Sequence, residues 1–174
     1  MAPGKRIVIY VLLIAALYFA SVRVLRIKVS KEETEFQKIA SQVDTVYDGL
    51  INSMGGALDL ILRAPQEDTV RAVILSRCKK FSAGDSTFKT ALHMDDFENA
   101  IFIMNQQSSV FFELINYSWE RISRVQTDTS LTKELIKIND LELRIDSLLM
   151  EAKKSKQKLK TYSSLYRALW PFQK

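Results

Sequence analysis

Residues 7–22 read IVIYVLLIAALYFASV, sixteen positions without a charge, and no other stretch limits the fold so tightly. As a helix the run is ~24 Å long, a little short of a ~30 Å hydrocarbon core. Lys5 and Arg6 precede it; Arg23, Val24 and Leu25 follow. Basic side chains snorkel, so the usable span reaches Leu25. Tyr10, Tyr18 and Phe19 stand toward its edges, where aromatic rings favour the interface. A core helix of a soluble domain shows a polar face, and this run has none. A cleaved signal peptide ends in a small-x-small site, but Tyr18-Phe19-Ala20 puts a tyrosine where a small residue is needed. The expected structure is one membrane anchor, with Ile7, Val8, Tyr10, Leu12, Leu13, Leu17, Tyr18, Phe19 and Val22 facing lipid. Its basic flanks extend it over residues 1–29. This makes a single-pass protein of a cell (inner) membrane. More Lys and Arg follow the run than precede it, which leans the remainder toward the cytoplasm.

The net charge of +5 is unevenly placed. Residues 1–31 carry six basic side chains and no acid, and residues 153–174 carry seven and no acid. Residues 32–152 hold 12 basic against 20 acidic groups, a net of −8. Both ends are basic around an acidic middle. With a membrane run at one end, that pattern argues against a nucleic-acid partner.

Only 5 Gly and 3 Pro interrupt a chain that is 47% hydrophobic, which favours long helices over many short strands. The apolar spacing agrees. Ile138, Leu141, Ile145, Leu148, Ala152, Ser155, Leu159, Tyr162, Tyr166 and Leu169 alternate steps of three and four, with only Ser155 not apolar. This predicts a helix over 129–169, capped by Thr129 or Ser130 and stopped by Pro171. A second seam from Phe97 through Met104, Phe111 and Ile115 to Val125 predicts a helix over 87–123. A third runs from Phe36 through Val43 and Leu50 to Ile61, with a slip and an expected kink or close helix approach at Gly55-Gly56. A shorter segment over 65–82 completes the set. The expected fold is all-α: the transmembrane helix, continuous with the first soluble helix, then an antiparallel bundle of about four helices over 30–174.

Four antiparallel helices return the last one toward the membrane. That places the tip beside the headgroups, with Arg23, Arg26, Lys28, Lys153, Lys154, Lys156, Lys158, Lys160, Trp170 and Phe172 as candidates for a membrane surface or a partner. The competing reading makes the lysines a solvated face and the aromatics a cap on the bundle core.

Chemistry is sparse. His93, the one histidine, has Thr90 three positions before it, so the Glu-x-x-His pattern of di-metal bundles is missing. C-x-x-C-H, H-E-x-x-H and a phosphate-binding glycine loop are missing too. Cys78 lies in an apolar helical stretch and reads as a small core residue, although Lys79 and Lys80 favour a thiolate. Asp44 with Asp48, and Glu142 with Asp146, are acid pairs four apart that read as solvated faces. Asp95, Asp96 and Glu98 suit a helix start. No catalysis, metal, cofactor or small-molecule substrate is expected.

Several short segments resemble the LemA family. Its members have one N-terminal span, then an Asp-Leu-Ile-Pro-Asn-Leu-like segment; here Asp48, Leu50, Ile51 and Asn52 begin 26 residues past Val22. Glu67 with Ser76-Arg77, Glu98-Asn99, Glu134-Leu135 and Glu142 with Arg144-Ile145 are similar to later family motifs. The family's Arg-x-x-Tyr-Asn repeat is absent, with Tyr162-Ser163 in its place. The resemblance implies a membrane-anchored helical protein without assigned chemistry.

The expected role is a non-catalytic scaffold or interaction protein in the bilayer that binds a protein partner or further copies of itself. Met54, Met104 and Phe111-Phe112 are candidates for the apolar binding surface. The alternatives are a small accessory subunit of a larger membrane complex and a sensory bundle module.

Overall fold

The computed structural model describes residues 3–82, 84–94, 96–122, 125 and 128–170, and the side chains of these except 3–7, 79–82, 84 and 85. They form five helices: α1 (Pro3–Arg63), α2 (Asp68–Ser82), α3 (Gly84–His93), α4 (Phe97–Arg121) and α5 (Thr129–Leu169). No strand occurs among the described residues.

α1 is 61 residues long. As expected, the apolar run continues into the first bundle helix without a break. Gly55 and Gly56 do not interrupt it, and an added Cβ at either would meet nothing within 4 Å. The expected close approach is therefore absent; both glycines face open space. The helix stops where Ala64 precedes Pro65, because the proline ring disfavours the α conformation before it and carries no N–H. Side chains then take up the exposed carbonyls of the last turn. Arg71 Nη2 donates to Leu62 O at 3.2 Å, and Gln66 Nε2 donates to the same oxygen at 3.3 Å.

The single helix expected over 87–123 is two helices. Asp96 breaks it by accepting from the backbone N–H of Asn99 at 3.2 Å, as an N-cap. α5 matches its expected extent, but its cap is Asp128 rather than Thr129 or Ser130. One carboxylate oxygen of Asp128 accepts from the N–H groups of Ser130 (2.8 Å) and Leu131 (3.2 Å). Pro171, the expected stop, lies outside the described residues.

The chain forms two compact units. The first comprises Met1–Lys38 and Ala152–Lys174, and the second Ile39–Glu151. The apolar N-terminal run thus shares a unit with the end of α5.

The second unit has a continuous apolar core. α1 supplies Val43, Tyr47, Leu50, Met54 and Ile61; α2 supplies Ile74; α3 supplies Phe88. Met104, Phe111 and Leu114 come from α4, and Leu131, Ile138, Ile145 and Leu149 from α5. Met54, Met104 and Phe111 are fully covered, so they are core and not the exposed binding surface expected for them; Phe112 is half-buried. Leu149 is the fully buried residue of its turn, whereas Leu148 is half-buried. The rings of Tyr47 and Phe88 stack at 3.7 Å, 10° from parallel. The Tyr47 hydroxyl, itself buried, donates to Gln107 Oε1 at 2.6 Å.

The first unit is different in kind. Among its described residues only Val22, Ala152 and Ser155 are buried. The partly covered positions of α1 there, Ala15, Tyr18, Leu25, Val29, Glu32 and Phe36, lie with Val22 on one stripe at steps of three or four. α5 answers with Leu159, Tyr162, Tyr166 and Leu169.

Candidate membrane-facing site

The first turns of the apolar run, residues 8–14, are exposed on all sides. Leu12 (63%), Ile14 (67%) and Leu17 (68%) point in different directions around the helix, yet each is mostly uncovered. Val8, Tyr10, Leu13 and Phe19 are exposed likewise; Tyr18 is half-buried and Val22 is buried. Val22 is the one described residue of the apolar run that is buried, and α1 is long and apolar enough to cross a membrane. The Ile7 side chain lies outside the described ones, as does all of Phe172.

The end of α5 is held against α1. The Tyr18 hydroxyl donates to Leu169 O. Phe19 and Trp170 meet edge to face at 6.3 Å between ring centroids, and the rings of Tyr18 and Phe19 contact each other at 5.7 Å. Higher along the pair, Lys28 Nζ lies 5.4 Å from the centre of the Tyr162 ring. Numbers rise on α1 from 18 to 28 as their partners fall on α5 from 169 to 162, so the two segments run in opposite directions here.

Sequence reasoning grouped the basic residues as one patch, but the helical rise spreads them out. Arg23, Arg26 and Lys28 are exposed near the aromatic contact. Lys160 precedes Trp170 by ten residues, ~15 Å, and Lys153 precedes it by seventeen, ~26 Å. Lys153, Lys154, Lys158 and Lys160 are exposed and Lys156 is half-buried. The first unit as a whole carries 14 basic and 3 acidic residues, a net of +11; the second carries 11 basic and 17 acidic, a net of −6.

Polar chemistry in the second unit is confined to helix contacts. Glu142 is not on a solvated face as expected: it accepts from the Ser108 hydroxyl across α4 and α5. Burial raises its pKa, repulsion by Asp146 adds to that, and the Ser108 hydrogen bond opposes it. Neither this contact nor Tyr47–Gln107 was anticipated. Their one trace in the sequence is that polar Gln107-Ser108 interrupts an apolar seam. Asp48 pairs with Lys89 at 2.8 Å. Cys78 is half-buried, and burial pushes its thiol up, away from a reactive thiolate. His93 is exposed. No group of three or more metal-capable side chains occurs among the described residues.

Comparisons with protein-family models, with curated proteins and with solved structures find no match.

Proposed function

We propose that this chain is a single-pass membrane protein whose α1 crosses the bilayer over residues 7–25 and whose helical body is a non-catalytic interaction module. The exposure of Val8, Ile9, Tyr10, Val11, Leu12, Leu13, Ile14, Leu17 and Phe19 carries the proposal. Burying a large apolar side chain is worth ~1.5–3 kcal/mol, so leaving nine in water would forgo on the order of 10 kcal/mol. That rivals the ~5–15 kcal/mol stability of a whole domain. A bilayer recovers it without requiring a protein partner on every side of one helix.

The interaction role rests on a different surface. Ile136, Leu143 and Met150 are each at least 60% exposed on α5 and lie seven residues apart, one stripe ~21 Å long. Phe102 on α4 is also exposed. Such a stripe suits a docked helix, from a second copy or another membrane protein. The LemA resemblance adds nothing here, because no family model matches the chain. The positive charge after the span favours a cytoplasmic body.

Two single-cysteine variants test the crossing in a Cys78→Ser background. Gly4→Cys and Ser41→Cys should label with an impermeant maleimide from opposite sides of sealed vesicles. Labelling of both from one side refutes the span. Changing Ile136, Leu143 and Met150 to Glu should release the partner or dissociate copies while leaving the unfolding transition in place.

A further inference from the structure

We infer that the last turns of α5 enter the bilayer beside α1, with Trp170 in the lipid interface, so that the chain holds the membrane by a full span and a second, partial insertion. The inference rests on the proposed crossing and extends it. If residues 7–25 cross, Phe19 lies four residues inside Arg23, ~6 Å along the helix. Trp170 touches Phe19, so it occupies the same depth.

Three features of the α5 end fit that position. Trp170 is an amphipathic ring of the kind enriched at membrane interfaces. From Thr161 to Trp170 the only charge is Arg167, whose side chain is long enough to snorkel, and the exposed Leu165 and Ala168 ask for no water. The backbone is also prepared for a dry setting. A helix ends with carbonyls that have no intrahelical donor, and in lipid each unpaired one costs several kcal/mol. The Tyr18 hydroxyl supplies the donor for Leu169 O, and Trp170 N–H closes a further turn onto Tyr166 O at 2.8 Å. Tyr18 itself lies inside the apolar run, where its hydroxyl also needs a partner. One hydrogen bond therefore satisfies two groups.

The chain has two tryptophans, Trp119 and Trp170. Trp119→Phe leaves Trp170 as the sole reporter, and Trp170→Phe leaves Trp119. The full chain is reconstituted in phosphatidylcholine vesicles with nitroxide-labelled lipid, or with iodide in the water. Trp170 should be quenched several-fold more strongly by nitroxide near the headgroup than by iodide, with the reverse order for Trp119. Ile14→Cys, in the Cys78→Ser background, reports the span in the same vesicles. If Cys at position 14 is shielded from impermeant maleimide on both sides but iodide quenches Trp170 as well as it quenches Trp119, the insertion is refuted and the span stands. If position 14 labels freely, both fall.

Discussion

The charge near the membrane should come far more from Arg23, Arg26 and Arg167 than from the five-lysine cluster, and helical geometry sets the margin. Arg23 lies four residues above Phe19, and Arg167 lies three residues before Trp170 on the opposed helix, so the two share a plane ~5–6 Å above the aromatic contact. Arg26 stands ~4.5 Å higher, Lys160 ~10 Å and Lys153 ~21 Å above that plane. A basic residue at an anionic surface gains ~1 kcal/mol, and the attraction decays over a Debye length of ~8 Å. Summed with that decay, Arg23, Arg26 and Arg167 contribute ~2.6 kcal/mol, and the five lysines together ~0.7 kcal/mol. Arg23→Gln, Arg26→Gln and Arg167→Gln combined should therefore cost three to four times as much phosphatidylserine preference, in free energy, as Gln at 153, 154, 156, 158 and 160. Spin-labelled phosphatidylserine and phosphatidylcholine in nanodiscs read that preference at the protein surface. A lysine variant that loses as much as the arginine variant would show that the cluster lies on the headgroups, which a straight α5 held at Tyr18 does not permit.

Three further outcomes follow from the second unit. Tyr47→Phe leaves Gln107 without its donor in a buried site and should lower the unfolding free energy by ~1–3 kcal/mol. Adding Gln107→Leu should recover part of the loss, as chemical denaturation of both variants will show. Glu142 has a folded pKa above its ordinary 4.5, so its contribution favours the folded state below that value and is lost as pH rises through the folded pKa. Glu142→Gln should flatten that decline and be neutral or stabilising at pH 7, measured by denaturation across pH 4–8. Cys78 should react with a maleimide at pH 7 more slowly than a free thiol, since burial disfavours its thiolate.

The long helices were legible because their apolar spacing persists. α5 covers the residues expected of it, and α1 runs through two glycines that have nothing beside them. The break between α3 and α4 was less legible. The seam begins at Phe97, and nothing apolar marks the turn before it; the visible trace was acidic Asp96, whose side chain spends its acceptor on a backbone N–H. The polar contacts failed to register for a related reason. Spacing shows which face a residue occupies but not what stands opposite, so Glu142 looked solvated until α4 put Ser108 against it. The tip was half legible. Its aromatic character was plain, but the distance from Trp170 back to the lysines appears only when both are placed on one straight helix.

The two units differ in what can hold them together. The second buries large side chains from all five helices and has the ingredients of an autonomous core. The first has two helical segments, two buried apolar residues among those described, and a buried Ser155 hydroxyl without a hydrogen-bond partner. Two helices with so little between them do not stay paired in water, because helix stability in proteins comes mostly from a packed apolar face. Their outer surfaces supply what the inner ones lack. In the proposed crossing lipid would cover the exposed apolar side chains of α1, and inside the interface the Tyr18–Leu169 bond would face less competition from water than in solution. In that crossing the bilayer would act as a structural component of the first unit, with Arg23, Arg26 and Arg167 beside the headgroups of one leaflet.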